Sequence, residues 1–239
     1  MNLKLIVWVA WKDIYSKNSG GAETVSHKIR NYLSKYHKII LISPRKSYLP
    51  KKENLKHYEI LRPCNIFLLP FFLFFFSRKK NIQIFVEEIN TIPFFSKIFV
   101  KAQKKFLFFH QLAEKIWFYE TIFPISFIGF IFEKIYLKFM SDMKVITISK
   151  STKKDLMKYG FKTKKILLIN QILNEKFKIF SPKKINRKIK LVYFGSLRKM
   201  KNVNSIIRIF SKLIKIRKNY SLSIVSKKLK SIDDRNKII

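Results

Sequence analysis

The chain has 239 residues, and its hydrophobic share of 48% is enough for a buried core in one large domain or two small ones. With 51 Lys and Arg against 14 Asp and Glu the net charge is +37, a field that draws polyanions such as nucleic acid or an acidic membrane surface. The single cysteine, Cys64, excludes an intrachain disulfide and a cysteine metal cluster, and it fits a cytosolic protein. The charge has a second source: Lys, Ile, Phe and Asn dominate together, as in an A/T-rich coding sequence. The lysines are also spread along the chain rather than gathered in one arm.

Leu3–Trp11 is an apolar run that predicts a buried parallel strand; it is too short for a secretory signal. Ser19-Gly20-Gly21-Ala22-Glu23 follows. Ala22–Tyr36 then carries Val25, Ile29, Tyr32, Leu33 and Tyr36 at helical spacing, and a second strand is expected over Lys38–Ser43. This is a βαβ unit with a glycine doublet at the helix start. Glycine opens backbone angles closed to other residues. It also bares the N–H groups of the first turn, which favour an anion such as phosphate. A plain flexible turn is the alternative.

Pro44–Arg62 is polar and proline-punctuated, so it reads as a long loop with at most a short strand. Ile66–Phe76 is very apolar but has only 11 residues including Pro70, where a spanning helix needs about 20. It is either core or a membrane-interface segment, because Arg78-Lys79-Lys80 follows directly. Ile122–Phe132, interrupted by Pro124, is expected in the core. No transmembrane helix is expected. Ile82–Val86 reads as a strand running into Glu87-Glu88, which then sit at the ligand-binding edge of an open α/β sheet.

Phe94–Gln103 predicts a short helix, Lys105–Phe109 a strand ending in His110, and Phe127–Met140 a long helix. Val145–Ile148 is a further strand; Ser149 and Ser151 cap the next helix, which Gly160 ends in a left-handed turn. Lys165–Ile169 is the last strand of this unit. Asn174–Arg187 loses periodicity and reads as a linker. A second unit follows, with strands Leu191–Phe194 and Tyr220–Val225 around a helix at Val203–Ile216. The expected organisation is an α/β, Rossmann-like parallel-sheet domain over 1–173, a linker over 174–189, and an incomplete second βαβ unit over 190–239.

Four ordered segments resemble the family 4 glycosyltransferases of the two-domain GT-B type. Gly20-Gly21-Ala22-Glu23 is similar to the family's N-terminal glycine loop. Phe109-His110-Gln111-Leu112-Ala113-Glu114 through Glu120 is similar to the segment holding its active-site histidine. Val145–Leu156 is similar to a strand–serine–helix passage, and Val192-Tyr193-Phe194-Gly195 through Lys201-Asn202 to the first strand and phosphate loop of the donor domain.

The resemblance implies retaining transfer of a sugar from a nucleotide-diphosphate sugar to a cell-envelope glycan or glycolipid, with no cofactor and no essential metal. It implies His110 as the catalytic-site histidine, with Gly20, Gly21, Arg198 and Lys201 on the donor diphosphate. Glu23, Glu87, Glu88 and Ser149 are candidate acceptor contacts; an acidic turn for Glu87 and Glu88, and a helix cap for Ser149, are the plain alternatives. No specific nucleic-acid motif is present. The expected location is cytoplasmic, with peripheral contact to an anionic membrane at its inner face.

The sequence departs from the family pattern at Ser196, where an arginine is usual, at Ser226-Lys227-Lys228, where glycines are usual, and at Asn170-Gln171, where Asn-Gly is usual. Nothing between Ser231 and Ile239 matches the two donor-domain glutamates. The alternative expectation is therefore a truncated, non-catalytic acceptor-binding domain, or a half-enzyme whose donor site a second chain completes.

Overall fold

The computed structural model describes residues 3–17, 19–169, 189–216 and 218–226. Residues 174–188 of the linker expected over 174–189, the Asn170-Gln171 pair and the segment after Ser226 lie outside the described residues, and Ile189, the expected last linker residue, instead opens a strand. Two compact units form: Met1–Glu114 with Ile128–Ile172, and Lys115–Phe127 with Leu173–Ile239.

In the first unit the apolar runs become strands β1 (Leu5–Val9), β2 (Lys38–Ile42), β5 (Ile84–Ile89), β6 (Lys104–Phe109), β7 (Lys144–Thr147) and β8 (Ile166–Leu168). Two short strands, β3 (Lys52–Asn54) and β4 (Glu59–Leu61), occupy the stretch expected to be mainly loop. The sheet order is β3-β4-β2-β1-β5-β6-β7-β8, parallel throughout except for β3 against β4. The chain leaves β1 to one side for β2 and returns to its other side for β5. That reversal is the switch point at which open α/β sheets bind ligands, outside the carboxyl ends of the strands.

Register decides which residues face which layer. Val7 pairs with Phe85 and Val9 with Glu87, so these side chains share one face. Helices α2 (Leu69–Arg78), α3 (Ser96–Phe99) and α5 (Ile125–Phe139) belong to this side. Leu69 and Leu73 join the cluster of Val7, Val9 and Phe85, while Tyr136, Leu137 and Met140 pack with Leu107 and Phe109. Trp8, Val86 and Phe108 share the opposite face with Ile29 and Leu33 of α1 (Gly21–Leu33). Strands buried on both faces explain why the sequence shows continuous apolar runs rather than alternation.

Asn65 Oδ1 accepts the Leu68 N–H at 3.0 Å in the turn before helix α2, which carries Pro70 in its first turn, where a missing N–H is harmless. It buries Leu69, Leu73 and Ser77 and exposes Phe71 and Phe75; Phe67, in the turn before it, is exposed as well. Cys64, just before it, is half-buried against the same core cluster. Ile122–Phe132 corrects its expectation: Ile122, Phe123, Ile125, Phe127, Ile128 and Ile131 are exposed, because α5 faces the core with Tyr136 and Leu137 instead, followed by Met140 just past its end. Among the described residues no helix is long and apolar enough to cross a membrane.

α6 (Lys150–Lys158) starts at Ser149, whose Oγ accepts the Thr152 N–H, and Gly160 follows it at φ 92°, the left-handed turn its glycine predicts. In the second unit β9 (Ile189–Phe194) and β10 (Tyr220–Val225) pair in parallel around α7 (Val203–Ile216), and α4 (Ile116–Glu120) groups with them.

Candidate active site

Helix α1 begins at the glycine doublet, with Gly20 as N-cap at φ −134°. That is extended backbone open to any residue, and Gly21 has no positive φ either, so the conformational reason for the doublet is corrected. What the glycines supply is space: a Cβ on Gly21 meets nothing within 4 Å, and one on Gly20 meets only Glu23 Oε2 at 3.7 Å. The backbone of the first turn is therefore open to a ligand. One of its donors is taken. Glu23, buried three residues on, accepts the Gly20 N–H at 2.6 Å and serves as the helix cap.

The buried face of α1 is polar. Glu23, Ser26 and Arg30 point inward, while Tyr32 and Tyr36 of the expected apolar stripe are exposed. Buried polar side chains need partners, and these find them at the ends of β5 and β6. His110, directly after β6, places Nε2 3.1 Å from Ser26 Oγ and 3.1 Å from Glu88 Oε1. Glu88 Oε2 accepts the Trp8 Nε1–H at 2.8 Å and lies 3.5 Å from Arg30 Nη1. The Arg30 guanidinium is fully buried, 5.4 Å from the Trp8 ring centre and 5.5 Å from that of Tyr58.

Nε2 thus faces both Ser26 and Glu88, and the other ring nitrogen, Nδ1, is buried with no hydrogen-bond partner among the described residues. Ser26, Arg30 and Trp8 were not singled out in the sequence, because their partners lie far along the chain: His110 is 84 residues from Ser26, and Glu88, which meets both Trp8 and Arg30, is 80 residues from Trp8.

Two further contacts fix the histidine's backbone. Thr152 Oγ1, in the first turn of α6, donates to the His110 carbonyl at 3.2 Å. Glu133 of α5 accepts the Ala113 N–H at 2.8 Å and the Glu114 N–H at 2.6 Å, holding the loop where Glu114 takes a left-handed φ of 43°.

Glu87 and Glu88 lie within β5, not after it, and neighbours on a strand point to opposite faces. Glu87 is fully buried on the α3 side and accepts the N–H groups of Phe94 and Ser96 (2.9 Å for Ser96), bracing the turn in which Phe95 has φ 54°. Burial pushes its carboxyl up, against the lowering pull of Ser96 and the Phe94 amide. Both of its oxygens are thus engaged inside the chain. Ser149 caps α6 and shares a 2.6 Å hydrogen bond with the Ser151 hydroxyl.

So Gly20, Gly21, Glu23, Glu87, Glu88, His110 and Ser149 all stand at the carboxyl edge of one sheet, and His110 and Glu88 are joined directly. Arg198 and Lys201 are in the second unit. Arg198 is paired with Glu120, Nη2 to Oε2 at 3.1 Å, and Lys201 is exposed in the 3-10 turn before α7. A Cβ on Gly195 would press on the Tyr193 hydroxyl at 3.0 Å, and that hydroxyl donates to the Ser196 carbonyl at 2.8 Å.

No protein-family model and no curated protein matches the chain. Solved structures do match. A Listeria monocytogenes protein assigned as a UDP-N-acetylglucosamine 2-epimerase superposes with a TM-score of 0.52 at 11% identity, over 99% of this chain and 65% of its own. The UDP-forming α,α-trehalose-phosphate synthase of Burkholderia vietnamiensis gives 0.53 at 8% identity, over 99% and 68%. The chain has the Rossmann-like α/β fold of the GT-B type. It spans about two thirds of the length of these GT-B structures.

Proposed function

We propose that this chain takes a nucleotide-diphosphate sugar and transfers its sugar, with retention, to a cell-envelope glycan or glycolipid, in the manner of the family 4 glycosyltransferases it resembles. One observation carries the reading. The helix that starts at the bare glycine doublet reaches, through Ser26, the histidine at the end of β6, and Glu88 orients that ring from β5. The GT-B neighbours are described as UDP-sugar or UDP-forming enzymes, which supports the donor class.

In this reading the leaving diphosphate develops negative charge. Free first-turn N–H groups are suited to stabilise it, and such preorganised donors are a large part of catalysis for reactions of this kind; Lys201 and Arg198 are the diphosphate cations that the family resemblance implies. His110, partly exposed at the end of β6, is the side chain that meets the donor sugar in this reading. No metal or cofactor is needed for these roles.

A second reading, an acceptor-binding domain whose donor site another chain completes, draws on the exposure of both strands of the second unit. Calorimetric titration with UDP, GDP and their sugars separates the two. Micromolar binding, lost about tenfold in Lys201→Ala but not in Lys199→Ala, supports transfer. No binding by a cooperatively folded chain supports the second reading. His110→Ala abolishes nucleotide release coupled to transfer without unfolding the chain; turnover equal to that of the unaltered chain removes His110 from the site.

A further inference from the structure

A helix packed on a sheet normally turns a polar face outward. α2 does the reverse. Its inner face is Leu69, Leu73 and Ser77, and its outer face carries Phe71 and Phe75, 58% and 62% exposed, with Phe67, 83% exposed, in the turn just before the helix. An aromatic face this bare is costly in water and marks a binding surface. At its C-terminal end the character changes abruptly. A pocket of about 440 Å³ opens there, and three of the residues lining it are the exposed lysines Lys79, Lys80 and Lys101. None of the three makes an ion pair among the described residues.

We propose that the outer face of α2 and the lysine pocket at its end form a docking surface for an anionic lipid bilayer. The phenylalanines enter the interface and the lysines receive lipid phosphates. The charge complementarity is local as well as global: unpaired cations adjoin the apolar face, and the chain carries +37. An amphipathic helix lying in the membrane plane has this composition, with aromatic residues below and basic residues at the headgroup level. A stack of nucleic-acid bases is less well matched, because the outer face offers no polar group between Phe67 and Phe75 to read or position a strand. The surface is independent of whether the chain transfers sugar, so its test stands apart from the nucleotide titration.

The test is sedimentation of the full chain with vesicles of phosphatidylcholine alone and with roughly 30% phosphatidylglycerol. Binding is expected to the anionic vesicles and to weaken with salt. Phe71→Ser/Phe75→Ser, both exposed and so tolerated by the fold, is expected to lose about tenfold in affinity or more. Lys79→Ala/Lys80→Ala/Lys101→Ala is expected to lose about fivefold for each lysine. The control Lys56→Ala/Lys162→Ala/Lys164→Ala removes equal charge elsewhere and should lose far less. A tryptophan placed by Phe75→Trp should be quenched by lipids brominated in the acyl chain.

Equal losses in the two lysine triples, or unaltered binding by the phenylalanine pair, would show that diffuse charge does the binding and overturn the proposal. So would absence of vesicle binding together with a lipid-free dimer, or oligonucleotide binding, that the same phenylalanine changes abolish.

Discussion

The chain builds the strand–helix–strand unit twice, and the two copies differ in what surrounds them. β1-α1-β2 sits inside an eight-stranded sheet, where Val7, Val9, Leu41 and Ile42 have no exposed surface. β9-α7-β10 forms a sheet of two strands, and Val192 and Phe194 remain 63% and 83% exposed. The helices show the same contrast in reverse. α7 has the more regular apolar stripe, yet only Val203 of it is buried, whereas α1 hides a polar face. Local pattern makes the element, and neighbours make the core. A parallel sheet needs cover on both faces, and among the described residues only the first copy has it.

The comparison can be broken most forcefully at Arg62. Its Nε donates to Asp13 Oδ2 at 2.7 Å with both residues buried, and this pair ties the β1–α1 loop to the end of β4. Arg62→Ala should cost about 3–5 kcal/mol in urea unfolding, because it strands a buried carboxylate. A cost below about 1 kcal/mol would mean that the loop is not anchored there. Burial alone would raise Asp13, but Arg62, Ser43 and the Tyr15 amide together hold its carboxyl below 3.8. A depressed acid contributes stability above its unfolded pKa, and that contribution is lost as pH falls through the folded value. The acid limb of the stability curve should therefore lie below pH 3.8 and flatten in Asp13→Asn.

Next in size is the core contrast itself. Leu41→Ala should cost about 3 kcal/mol, against under about 0.5 kcal/mol for Phe194→Ala. Similar costs would show that β9 is covered after all. Amide exchange reads the same difference without mutation: β1 and β5 should exchange far more slowly than β9 and β10. The smallest effect is at the helix start. Glu23→Ala removes the acceptor of the Gly20 N–H and should cost about 1 kcal/mol. No change would mean the cap is exchanged freely with solvent.

Much of the fold was legible because continuous apolar runs and helical stripes are local signals. Val203–Ile216 and Tyr220–Val225 are found as read. β3 and β4 were not legible, since Lys52-Glu53-Asn54 has no strand character of its own and pairs only because β4 lies beside β2. β5 continues through Glu87 and Glu88 for a reason no local window contains: their partners are Phe94 and Ser96 on one side and Trp8, Arg30 and His110 on the other. His110 could be singled out by its place after an apolar strand. The polar stripe of α1 could not, because Ser26 and Arg30 read as ordinary outward residues until the ends of β5 and β6 are beside them.

The lone thiol makes the chain a ready instrument. Cys64 is half-buried against the cluster beneath α2, and burial pushes its thiol up, so little of the reactive thiolate is present at neutral pH. A thiol reagent therefore labels a single position, and slowly. Its labelling rate reports on the packing of the turn that leads into α2, legible in bulk solution without altering a residue.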